Sequence, residues 1–240
     1  MLILAVDTST RTGSAALLRD SQVLAEVSGY EETPYSTRLF RDVALLQERE
    51  SFRLDQIDVF AVAAGPGSFT GLRVGLTAVK AWAEVHGKPI AAISGLAAIA
   101  AESLLGEPPQ ASGSRAIAPF LDARRGQLFG AIYRRIIGDA TGLALAGGES
   151  ILSVDEFLEL LRGESTEELQ LASPTPEILP GARIRAFLPD VPVVQVSAAL
   201  APAIGRLGFE RAKRGDLVDA IRLDANYVRR SDAESAWKDG

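Results

Sequence analysis

Asp7 and Asp122 have the strongest claim to chemistry among the residues of this chain. Each closes an apolar run and opens a short polar turn that ends in glycine: LILAVDTSTRTGSAALL at the start, AIAPFLDARRGQLFGAIY near the middle. Paired carboxylates at strand ends can hold a hydrated cation or polarise a water. Thr8, Ser9 and Thr10 add hydroxyls that would suit a phosphate loop. The same residue types also cap turns, by accepting from the backbone two residues on. No base accompanies the aspartates, the chain has no cysteine, and His86 is its only histidine. Turn capping is therefore the favoured reading, and neither a catalytic residue, a metal site nor a bound cofactor is expected.

The second candidate is GPGSFTGLRVG, residues 65–75. A Walker loop needs glycine, lysine and a hydroxyl at its end, yet the nearest lysine is Lys80, and a dinucleotide fingerprint would need glycine where Thr70 stands. Gly65 and Gly67 flank Pro66 and permit a sharp turn into a helix N-terminus, which could bind an anion. Gly71 and Gly75 lie four apart, with Ala78 near the same face, so one side of that helix is almost bare. Glycine inside a helix costs about 1 kcal/mol relative to alanine, so two of them imply a close approach by another backbone. That backbone belongs either to the helix's own sheet or to a partner.

Strands are expected where apolar runs meet turns: residues 2–6 and 15–18 as a hairpin, 23–27, a buried parallel-type run at 57–64, and 89–93. Helical spacing covers about 35–48, where Tyr35, Leu39, Val43 and Leu46 recur and Phe40 and Ala44 widen the stripe. Further helices are expected at 69–86, with Ser68 or Thr70 as cap and Gly87 as stop, and at 95–105, 154–161 and 198–214. Residues 163–197 give no clear signal, and the last residues, from 224, read as an extended or frayed end. EPPQASGS, 107–114, is the best linker, dividing the chain into units 1–106 and 107–240. Two strand, aspartate, turn, glycine, strand units imply a duplicated α/β architecture.

A chain of 240 residues, 47% hydrophobic, can bury a sizeable core. A net charge of −6 repels phosphate backbones on average. Apolar stretches break well before the roughly 20 residues a membrane span needs, and MLILAV lacks the charge and cleavage site of a signal peptide. The absence of cysteine fits a reducing cytosol.

Several blocks resemble the TsaB family, a subunit of the bacterial machinery that makes threonylcarbamoyladenosine in tRNA. They are ILAVDTST, the helix after PYSTRLF, AGPGSFTGLRVGLTAVKAWA, LDARRGQLFGAIY and NYVRRSDAE. They run from one end of the chain to the other, leaving 140–220 without a recognisable motif. The resemblance implies an actin-like fold of the sugar kinase and Hsp70 class, with two related subdomains. It implies a non-catalytic scaffold that binds the catalytic subunit TsaD, with the ATPase TsaE joining, tRNA touched only through the complex, and a cytoplasmic location. Catalytic relatives hold a metal with a histidine pair on the first helix, whereas Tyr35 and Ser36 stand here. Many family members carry histidine and serine there, so Tyr35 departs from its own family. Arg124 and Arg125 replace the glycines of an actin-like phosphate turn, so Asp7, Thr8, Ser9 and Asp122 would line a vestigial nucleotide cleft. The expected partner surface is Tyr35, Leu39, Phe40, Val43, Leu46, Gly71, Leu72, Gly75, Leu76 and Val79. Alone, the same surface is expected to form a homodimer, because an apolar two-fold contact is self-complementary. The alternative is an active ATP-dependent kinase of the same fold, with Asp7 and Asp122 around a magnesium nucleotide. A glycoprotease is set aside, because the sequence has no cysteine nucleophile, no histidine pair and no recognisable serine triad with only His86 available.

Overall fold

The computed structural model describes residues 1–29, 35–106, 115–136, 142–165 and 168–228. The expected linker at 107–114 and the tail from residue 229 lie outside them.

The first half begins with the meander β1 (Leu2–Asp7), β2 (Ser14–Arg19) and β3 (Gln22–Ser28), followed by helix α1 (Tyr35–Glu50). Strand β4 (Val59–Gly65) is buried along its whole length. Helix α2 (Phe69–His86) starts at Ser68, whose Oγ accepts from the Gly71 N–H at 3.3 Å, and stops at Gly87, left-handed at φ 62°. Strand β5 (Ile90–Ser94) runs directly into α3 (Gly95–Glu102), with the Ser94 hydroxyl accepting from the N–H groups of Leu96 and Ala97. Ser and Gly at these ends satisfy backbone groups that the helices leave open.

The second half repeats the plan. Strands β6 (Ala116–Arg124), β7 (Gln127–Arg135) and β8 (Leu143–Ser153) form a meander, then come α4 (Val154–Leu161), β9 (Leu169–Ser173), α5 (Gly181–Phe187), β10 (Val193–Gln195) and α6 (Ala201–Arg214). Ser153 and Glu156 close a capping box on α4. The strand orders are β3-β2-β1-β4-β5 and β8-β7-β6-β9-β10, each with two antiparallel pairings followed by two parallel ones. The duplication expected from the two aspartate turns is present strand for strand.

Alternation along β1 assigns its side chains to two layers. Leu4 and Val6 join the layer under α1 and α2, while Ile3 and Ala5 join a layer shared by both sheets and by α3 and α6. Helices α3 and α6 thus lie between the sheets, and α4 and α5 cover the far side of the second. The expected unit 107–240 holds the second sheet, but its last helix packs on the first. The Ala201 N–H donates to the Ser14 hydroxyl at 2.9 Å, and Gly205 and Gly208 bring α6 against Leu18 and Ala61.

The stretch 143–197 contains elements that sequence pattern does not reveal. In β8 the glycines 147 and 148 interrupt alternation and most side chains are only half-buried, so no strand period shows. Strand β9 has five residues, all buried, too short a run to separate from loop. The helix expected at 198–214 begins at Ala201.

A fragment of residues 1–106 is expected to lack a cooperative thermal transition, because α6 is missing from one face of its sheet. Circular dichroism melts of 1–106 and 1–228 would check this; a sharply melting short fragment would show α6 to be dispensable.

Candidate functional site

The turn after β1 is fastened from several sides. Asp7 is 1% exposed, and its Oδ1 accepts from the Ser9 N–H at 2.8 Å and the Ser9 hydroxyl at 2.6 Å. Its Oδ2 accepts from the Thr10 hydroxyl at 3.1 Å. Thr8 donates to the Gly71 carbonyl at 2.7 Å, and the Ser68 N–H donates to the Ser9 carbonyl at 2.8 Å. From α1, the Tyr35 hydroxyl donates to the Thr10 carbonyl and the Arg38 guanidinium to the Thr12 carbonyl. Arg38 also lies 4.7 Å over the Tyr35 ring and 3.4 Å from the Asp42 carboxylate. Burial pushes the Asp7 carboxyl above the usual range, against the bonds from Ser9 and Thr10 and the Arg38 charge. Burial likewise pushes the Tyr35 phenol up to about 12, so it remains a donor.

These contacts explain the glycine run. A Cβ on Gly71 or Gly75 would overlap Thr8, and one on Gly67 would sit 2.6 Å from the Ser9 carbonyl. The bare side of α2 meets the turn that follows β1, and the close approach expected there is internal.

The two aspartate turns border one cleft of about 820 Å³, lined by Thr10, Arg11, Ser68, Asp122, Arg124 and Arg125 among others. Asp122 accepts from the Arg124 N–H at 2.6 Å, the same two-residue step as Asp7 to Ser9. Arg124, Arg125 and Gly126 are all left-handed, at φ 63°, 57° and 73°. Ser9 borders the cleft, whereas Asp7 and Thr8 lie buried behind it. The expected pair of cleft carboxylates is thus reduced to Asp122. Among the described residues no three histidine, cysteine or carboxylate side chains group as a metal site would need.

The expected partner surface needs a larger correction. Leu39, Val43, Leu46, Leu72, Leu76 and Val79 are all buried in the layer between α1, α2 and the first sheet. Their stripe is apolar as expected, but the chain itself covers it. Of the residues named, Phe40 is 54% exposed and Tyr35 is half-buried. The open surface is the opposite flank, a groove of about 510 Å³ along α1 and α2. Phe40 meets Trp82 edge-on at 5.9 Å, and Val74, Thr77 and Ala81 form the floor. At one end Phe69 carries the Arg73 guanidinium 3.7 Å above its ring. Trp82, Val74 and Ala81 stand outside the expected surface, although 70, 73, 74, 77 and 81 follow helical spacing; their mostly small side chains hide the stripe.

Residues 35–206 match the family model described as "TsaD: tRNA N6-adenosine threonylcarbamoyltransferase". A Bacillus subtilis protein named tRNA threonylcarbamoyladenosine biosynthesis protein TsaB is 30% identical over 239 residues, 99% of this chain and 98% of that one. The chain belongs to the TsaB family. The Escherichia coli TsaB is 31% identical over 137 residues, 56% of each chain. Among solved structures, YeaZ from Pseudomonas aeruginosa superposes with a TM-score of 0.75 at 24% identity, covering 94% of this chain and 99% of that one. A ROK hexokinase from Thermus thermophilus superposes at 0.51 with 10% identity, a likeness of fold. The expected actin-like architecture is therefore present in a TsaB-family chain whose first aspartate turn is locked from inside.

Two outcomes follow from that lock. Replacing Gly71 with alanine should cost about 2 kcal/mol or more, since a backbone carbonyl blocks the methyl group; an unchanged urea midpoint would contradict the contact. The native state holds the Asp7 proton to higher pH than the unfolded chain. Its contribution is therefore fully present below the unfolded value and lost as pH rises through the folded one. Melting of wild type relative to Asp7→Asn should accordingly favour wild type most in acid and lose that margin as pH rises.

Proposed function

We propose that this chain acts in tRNA threonylcarbamoyladenosine biosynthesis as a non-catalytic scaffold that binds and supports TsaD. The observation that carries the reading is the exposed groove on α1 and α2, in a family named for that modification. An exposed Phe40 and a half-buried Trp82 next to small side chains favour helix-on-helix packing, because small residues admit a neighbouring helix and aromatic anchors supply buried area. The binding face is Phe40, Val74, Thr77, Ala81 and Trp82, with Ser36 at the edge; Leu39, Val43, Leu46, Leu72, Leu76 and Val79 hold the two helices in place from below, and Tyr35 is engaged by the aspartate turn instead.

In this reading TsaE joins the pair and tRNA is reached only through the assembly, since this chain's net charge is −6. Without TsaD the same face pairs with a second copy. The protein works in the cytoplasm. Asp7 has no catalytic role, because both of its oxygens are occupied by the turn it closes.

Size-exclusion chromatography with light scattering, on the chain alone and mixed with TsaD from the same source, tests the proposal. A dimer that converts to a mixed complex supports it. Phe40→Asp should weaken that complex about 30-fold, as expected for a central aromatic anchor, while leaving the melting temperature within a few degrees. Full binding by the variant would move the interface elsewhere.

The cleft favours a second reading, nucleotide-dependent phosphotransfer, because a volume of about 820 Å³ accommodates a nucleotide. Calorimetric titration with magnesium ATP discriminates. Micromolar affinity lost in Asp122→Ala would support phosphotransfer; no heat would leave the scaffold reading standing.

A further inference from the structure

After α6 the chain does not leave the molecule. Val218 pairs with Ile90 through two backbone bonds of 2.8 and 2.9 Å at the edge of the first sheet, and Leu223 is buried beneath it. The segment then crosses the end of β4, where the Asn226 N–H donates to the Ala64 carbonyl at 2.7 Å. Gly65, at φ 120°, makes room for it: a Cβ there would lie 2.5 Å from the Asn226 carbonyl. Asn226, Tyr227 and Val228 then line the cleft.

Three segments distant in sequence meet at one carboxylate on the second sheet. Glu149 Oε1 accepts from the Tyr133 hydroxyl at 2.6 Å and from the Ser94 hydroxyl, while Oε2 accepts from the Asn226 side-chain amide. Ser94 caps α3 in the first half, Tyr133 and Glu149 belong to β7 and β8, and Asn226 belongs to the returning chain. Tyr227 places its ring 5.3 Å from Phe69, and its hydroxyl accepts from Arg73 Nε at 3.4 Å. One strand of chain therefore grips β4, α2 and the second sheet at once.

We propose that residues 223–228 are a latch that fixes the width of the cleft between the two halves, with Glu149 as its catch. Apart from the Ser94–Glu149 bond, the Gln170 amide's 2.9 Å bond to the Ser103 hydroxyl and the Ala201–Ser14 bond, the two halves meet through the apolar layer around α3 and α6, which tolerates sliding better than directed hydrogen bonds do. The latch lies across the cleft wall, so its release frees Tyr227 from Phe69 and separates the aspartate turns.

The division of labour between the two Glu149 oxygens supplies the test. Asn226→Asp sets a second carboxylate against Oε2 and should release the latch. Adding Glu149→Gln should refasten it: the new Oε1 still accepts from Tyr133 and Ser94, and the new amide donates to residue 226. Hydrogen–deuterium exchange and small-angle scattering on the full chain would read both. The single variant should exchange about tenfold faster at the residue 226 amide and across 64–70, with a larger radius of gyration. The double variant should return to wild-type values. Wild-type exchange in the single variant, or a double variant as open as the single, would overturn the latch. If Asn226→Asp unfolds the chain outright, recovery of a folded, protected double variant decides for it and failure to recover decides against it.

Discussion

Backbone packed on backbone is the constraint that the first half depends on. The turn at Thr8 and Ser9 lies so close to the start of α2 that a Cβ on Gly67 or Gly71 would meet its backbone, and one on Gly75 the Thr8 hydroxyl. That proximity lets Thr8 and Ser9 exchange hydrogen bonds with the first turns of the helix, and lets Asp7 close the turn from within. Helix α1 is tied to the same turn through Tyr35 and Arg38. Two long helices are thus positioned by one short loop, and their outward flank is rigidly presented. A segment that looks like a phosphate loop has become a mount for a helix pair.

The duplicated halves have diverged around this mount. The aspartate turns keep the same Asx step, but Asp7 is buried whereas Asp122 is exposed beside two arginines. After β4 comes α2, eighteen residues long; after β9 come a short 3-10 turn and α5, seven residues long. The first half therefore carries a broad helical surface, while the second leaves its turn open to the cleft. Equal topology has been put to unequal use.

Much of this is legible in the sequence because local chemistry and global fold agree there. Ser68, Gly87 and Ser153 mark helix ends that the structure keeps, and the repeated aspartate turns reveal the duplication. The side of each helix is harder to read. Leu39, Val43, Leu72 and Val79 form an apolar stripe whether a sheet or a partner covers it, and periodicity alone does not say which. The true open flank is built from alanine, threonine, valine and three aromatic residues spread over two helices, a composition without strong contrast in either one. Glu149 is invisible for another reason: its meaning comes from Ser94, Tyr133 and Asn226, which only the fold brings together.

The return of α6 and the following segment to the first sheet bears on synthesis. While the ribosome makes residues 107–200, Ile3, Ala5, Ala16 and Leu18 face solvent or a transient cover, since the helix that shields them has not been made. At ordinary elongation rates that interval is on the order of ten seconds. An aliphatic sheet face left open that long has to wait for its cover, so the order in which this chain is written delays completion of the first half until α6 has been made.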